Sequence, residues 1–273
     1  MEKNFKLEIR QIFELQDSDK EKIELLSNEE ISNYTEDLRD NLEYAGKRCG
    51  VHMALLTYIE KEIDKCQQII NNGGCDEYVF QRWLYVIQTH KDVYEMMGYL
   101  TLLQMDAMTT SISLYQAKND TERIMHCKHA YTIIYEAIEN DLFKKVAAGI
   151  KKYPEELKED DVFRQIWKEI SSILKQMLDM NEAKEIRNNI DAHKCHSFAT
   201  QINAYKKCRW GQSIYNLHTL IKIIDVIQKY MDIINKQMTV LYEKYKTDME
   251  ERMKQYERVM DEIKRMQQSD MHN

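Results

Sequence analysis

Residues 185–193 read Glu-Ile-Arg-Asn-Asn-Ile-Asp-Ala-His, and they gather three chemical tools in a chain otherwise poor in them. Arg187 can hold a phosphate through parallel N–H donors. Asn188, directly after it, donates and accepts hydrogen bonds. His193 can carry a proton near neutral pH. Together these types suit cleavage of a phosphodiester whose own 2′-hydroxyl is the nucleophile, which means RNA. His193 would take the hydroxyl proton as general base. Arg187 would hold the scissile phosphate and stabilise the charge developing on it. Asn188 would orient the phosphate or its neighbour. The expected products are a 2′,3′-cyclic phosphate and a free 5′-hydroxyl, made without metal or other cofactor.

The stretch after the motif, from Lys194 to Arg209, contains no Asp or Glu. Lys194, His196, Lys206, Lys207 and Arg209 are therefore the candidate RNA contacts. The whole chain carries a net charge of −7 with a pI of about 5.7. That balance argues against broad electrostatic adhesion to nucleic acid and leaves only a local basic strip. A solvated helix face accounts for the strip nearly as well.

Other clusters offer less. His193, Cys195, His196 and Cys208 hint at zinc, but structural zinc sites pair their ligands two to four residues apart, and this spacing is poor. His126 and His129 share a helix face, with Glu122 and Glu136 flanking them at poor spacing. No phosphate-binding glycine loop and no HExxH pair is present. Cys49 and His52 read as structural, beside Gly46 and Gly50, where close helix packing is expected. Trp210, next to Arg209, either stacks on a base or anchors the following helix. The six cysteines are scattered and read as reduced thiols.

The motif of arginine, a polar residue and a histidine after five intervening positions resembles the signature of the HEPN superfamily (higher eukaryotes and prokaryotes nucleotide-binding). The bare pattern also occurs at Arg123–His129 and Arg265–His272. Only Arg187 is followed by a polar residue and then by the long helix that such a bundle needs. The resemblance implies an all-helical bundle and an endoribonuclease of toxin or phage-defence type, assembled as a homodimer whose two motifs face each other across a groove. It implies an antitoxin or other defence protein as a further partner. The alternative that the family offers is a non-catalytic dimerisation or nucleotide-binding scaffold. The dimer matters because on a regular helix Arg187 and His193 stand about 240° and about 9 Å apart and do not converge on one atom.

The elements that must position these residues are helices. One proline and seven glycines leave little material for tight turns, while 16 methionines and 17 tyrosines accompany abundant Glu, Lys, Ile and Leu. Ser27 and Glu30 form a capping-box start. Apolar steps of three or four residues then run from Leu42 to Ile70, and Gly73-Gly74 ends the helix. A second long helix spans about 77–117, and Asn119-Asp120-Thr121 starts a third over about 121–149. Gly149 and Pro154 bracket a loop, and a helix follows from about 160 through Met177. Trp210-Gly211 interrupts the pattern before a very long helix from Ser213 to about Gln267. Ile223, Ile227, Met231, Ile234, Met238 and Leu241 follow a heptad, with a stutter after Tyr245. The expected architecture is all-α, an elongated helical bundle with long N-terminal helices and a long C-terminal helix of coiled-coil character. Its segments are 1–78, a HEPN-like bundle over 79–246 and an extension over 247–273. With no run of 18 apolar residues and no signal-peptide core, a cytoplasmic protein without membrane contact is expected.

Overall fold

The computed structural model describes residues 27–71, 77–141, 165, 168–173, 180–191 and 197–270. Every regular element among them is helical: α1 (Asn28–Asn71), α2 (Glu77–Gln116), α3 (Asp120–Tyr135), α4 (Met180–Ile186), α5 (Phe198–Tyr205) and α6 (Trp210–Asp270). Two single π-helical turns, Glu136–Asp141 and Arg187–Asp191, continue α3 and α4. The all-α bundle expected from composition is therefore the observed fold. Residues 168–173 are helical, and the rest of the helix expected through Met177 lies outside the described residues.

Helix starts follow local chemistry. Ser27 Oγ accepts a hydrogen bond from Glu30 N–H at 3.2 Å, and Glu30 Oε2 accepts from Ser27 N–H at 2.7 Å. That reciprocal pairing satisfies two backbone donors which the helix itself cannot. The same device opens α3, where Asn119 Oδ1 accepts from Glu122 N–H at 3.0 Å and Glu122 Oε2 from Lys118 N–H at 2.7 Å. Glu122 is thus a capping residue. Helix α6 begins at Trp210, earlier than its sequence pattern suggests. Its first turn is reinforced by the Ser213 hydroxyl, which donates to Arg209 C=O at 2.7 Å. Trp210 itself is buried, and its indole N–H donates to Leu114 C=O at 2.9 Å. The ring anchors the helix and is not presented to a base.

The chain divides into two compact units, and α1, α2 and α6 each contribute a stretch to both. In the unit holding residues 28–50, 98–141 and 180–229, Leu38, Ala45 and Met108 form a small core with Leu42, Met105 and Ile221 packed on it. A polar relay joins the three long helices there. Arg48 Nη1 donates to Gln228 Oε1 at 3.1 Å, Gln228 Nε2 to Gln104 Oε1 at 3.3 Å, and Gln104 Nε2 to Asp225 Oδ1 at 2.8 Å. Tyr34, Tyr115 and His218 stack beside one another, with the Tyr34 hydroxyl 3.4 Å from His218 Nδ1. Gly46 meets only Met105 Cε, at 4.0 Å from the place of a Cβ, and nothing lies within 4 Å of that place at Gly50. Neither glycine is needed for close packing, contrary to the sequence reading.

In the other unit Trp83 packs on Tyr242 with ring centroids 4.9 Å apart, and His90 Nε2 lies 3.1 Å from Asn235 Oδ1. Along α6 the buried line runs Met231, Ile234, Met238, Tyr242, Met249. Tyr242 takes the buried position after Met238, and Leu241 is only half-buried. Most side chains of the stutter expected after Tyr245 lie outside those described. No helix among the described residues is long and apolar enough to cross a membrane.

Candidate functional site

Helix α3 is the platform of the site. It packs against α4 and against the second π-helical turn, and α5 packs against that turn too. Ile124, Cys127, Ala130, Tyr131 and Ile134 bury the inner side of α3, and Ala183, Ile186 and Ile190 bury that of α4 and its turn. This packing brings the start of the second π turn to the C-terminal end of α3. π-Helical turns are rare, and where they occur they often mark functional positions. Arg187 and Glu136 are each the first residue of one turn.

Their side chains meet. Arg187 Nε donates to Glu136 Oε1 at 2.7 Å, and Nη2 donates to the same oxygen. Arg187 Nη1 donates to Asn188 Oδ1 at 3.0 Å. The guanidinium carbon lies 5.6 Å from the centroid of the Tyr135 ring. The Arg187 side chain is only 18% exposed against 39% for Glu136, so the carboxylate is the solvent-facing partner. A plain exposed helix arginine is thereby excluded. The motif also departs from the regular helix assumed for it, because Arg187–Asp191 is a π turn, whose hydrogen bonds span five residues instead of four.

Two basic residues from the strip reach the same region. Lys207 Nζ lies 2.5 Å from Glu185 Oε2, two residues before Arg187. Arg209 N–H donates to the Tyr131 hydroxyl at 3.3 Å, leaving the Arg209 side chain exposed. Tyr131 and Tyr135 are four residues apart on α3, about 6 Å along its axis and on one face. The Arg209 backbone and the Arg187 guanidinium therefore dock on successive turns of one helix. Lys206, at the end of α5, is exposed. His193, Lys194 and His196 lie outside the described residues, as does Cys195.

Arg123 belongs to a separate arrangement. Its guanidinium carbon sits 4.1 Å from the Trp210 ring centroid, and Nη1 lies 3.1 Å from Asp120 Oδ1, which reads as packing. Cys208 is buried, and its Sγ donates to Ala204 C=O at 3.9 Å. Burial, and then the neighbouring Cys127, raise its thiol well above the ordinary range. Burial thus disfavours its thiolate form. No group of three or more His, Cys, Asp or Glu among the described residues could hold a metal ion.

Sequence reasoning placed Glu136 only beside the His126–His129 cluster and missed Tyr135 and Tyr131. Glu136 lies 51 positions from Arg187, and no local spacing connects them. Comparison with protein-family models, with curated proteins and with solved structures finds no match to this chain.

Proposed function

We propose that the chain binds RNA through the Arg187–Arg209 region and cleaves it without metal. The observation that carries this reading is the pairing of Arg187 with Glu136, each the first residue of a π turn, with Asn188 hydrogen-bonded to the Arg187 guanidinium. Lys207 beside Glu185 and the Arg209 backbone on Tyr131 support it, because they bring basic residues from the strip to the motif.

In the proposed reaction His193 removes the ribose 2′-hydroxyl proton. The 2′-oxygen attacks phosphorus, the bond from phosphorus to the 5′-oxygen breaks, and the leaving oxygen takes a proton from water. Arg187 and Asn188 hold the non-bridging oxygens as charge builds on them. Lys194, His196, Lys206, Lys207 and Arg209 guide the strand. The proposed active form is a homodimer with two motifs facing one groove, and a defence or antitoxin protein is the proposed regulator.

A second reading has a specific observation behind it. Arg187 is already engaged by a carboxylate, an amide oxygen and an aromatic face. Such a residue can equally serve as a structural tie in a non-catalytic scaffold. Incubation of wild type and His193→Ala with labelled RNA in EDTA separates the two. Cleavage leaving 2′,3′-cyclic phosphates, lost in the variant, is the expected result. Equal cleavage by both overturns the mechanism, and an absence of cleavage across diverse RNAs selects the scaffold.

A further inference from the structure

The two basic side chains whose partners are described at the site are each met by an acid. Glu136 accepts from Arg187 through a single oxygen that both Nε and Nη2 approach. That Nε–Nη2 edge is one that a phosphate can take with two parallel hydrogen bonds. The remaining terminal nitrogen, Nη1, is held by Asn188. Glu185 meets Lys207 in the same way. Arg187 and, within the basic strip, Lys207 are thus each paired with a carboxylate, while Lys206 and Arg209 are exposed.

We infer that Glu136 is a carboxylate latch on the phosphate-binding edge of Arg187, with Glu185 a second latch on Lys207. An incoming phosphate must exchange with Glu136 for the guanidinium. Both carry negative charge, so one phosphate gains little over the carboxylate it displaces. A strand that engages Arg187, Lys207 and Arg209 together gains several contacts for each latch opened. The site therefore selects polyanions by length and rejects single phosphates and mononucleotides. The geometry suits exchange: Glu136 is more exposed than Arg187, so it can swing into water while the guanidinium stays on Tyr135. This inference rests on Arg187 being a phosphate ligand, and it concerns binding whether or not cleavage follows.

The test is fluorescence anisotropy in EDTA with a dinucleotide and a dodecamer RNA, on wild type, Glu136→Gln, Glu185→Gln and Glu136→Gln/Arg187→Ala. Wild type should bind the dodecamer far better than the dinucleotide. Glu136→Gln should tighten the dinucleotide by about tenfold or more, the scale of one charge-assisted contact, and narrow the gap between the probes. The double variant should lose that gain. Glu185→Gln should show a smaller gain of the same sign. Unchanged or weaker binding by folded Glu136→Gln, or no binding by any variant, overturns the latch. If Glu136→Gln does not fold, Glu136→Asp, whose shorter stem loosens the same pair, gives the same reading. Tighter binding with no cleavage by wild type or variant sinks the ribonuclease reading and leaves the latch standing.

Discussion

Arg187 illustrates how a side chain's role is set by neighbours far away in sequence. Its type and the asparagine after it were legible in the sequence. Its partner was not, because Glu136 reaches it only after α3 and α4 pack. Trp210 was legible to one of two alternatives, and the buried indole N–H on Leu114 C=O decides for the anchor. His218 shows a residue whose chemistry lies wholly in its surroundings. Burial first, and then Lys222, depress its pKa from 6.5 to about 4, and Tyr34 and Tyr115 face it. Burial likewise lowers that of His90. Burial disfavours the charged form of both in the folded state, while the unfolded chain takes up protons below about pH 6.5. The contribution of His218 is thus complete above pH 6.5 and is lost as pH falls from there toward 4. Melting temperature against pH should decline over that window, and His218→Gln should make the decline shallower. An unchanged slope would remove His218 as a cause.

At the scale of elements, the long helices were legible because each signal is local. Ser27 with Glu30 caps in the observed structure as their spacing requires, and Asn119 caps α3 as expected, with Glu122 as a partner the sequence reading had assigned to the histidine cluster. The apolar steps of α1, α2 and α6 repeat often enough to define a buried side. The π turns were not legible, since a single inserted position leaves no periodic trace over five or six residues. The heptad of α6 was legible except at its end, because Leu241 and Tyr242 are both apolar enough to follow Met238 and only packing chooses between them. Gly50 offers a direct check on helix energetics. It sits inside α1 with open space where a Cβ would go. Gly50→Ala should stabilise the protein by about 0.5–1 kcal/mol through lower backbone entropy in the unfolded chain. Denaturant titration reads this directly, and destabilisation would mean that the site is tighter than its geometry indicates.

For the molecule as a whole, net charge limits how nucleic acid can bind. At −7, the surface beyond the strip repels a polyanion. Binding should therefore involve few phosphates, about three or four, with a logarithmic salt slope of about −2 to −3 for a single strand. RNA affinity measured over a range of salt tests this, and a slope near −7 would point to a far larger basic surface. The relay from Arg48 through Gln228 and Gln104 to Asp225 bears on a different matter, the history of each molecule as it folds. Repetitive apolar faces on three long helices would tolerate sliding by seven residues, since every slide still buries grease against grease. Four polar groups that satisfy one another in a single alignment remove that degeneracy. Any slipped arrangement leaves a half-buried arginine, a half-buried aspartate and two amides without these partners, at a cost of about 1–3 kcal/mol for the buried Gln228 amide. The relay thus favours one alignment of the three long helices over its slipped alternatives.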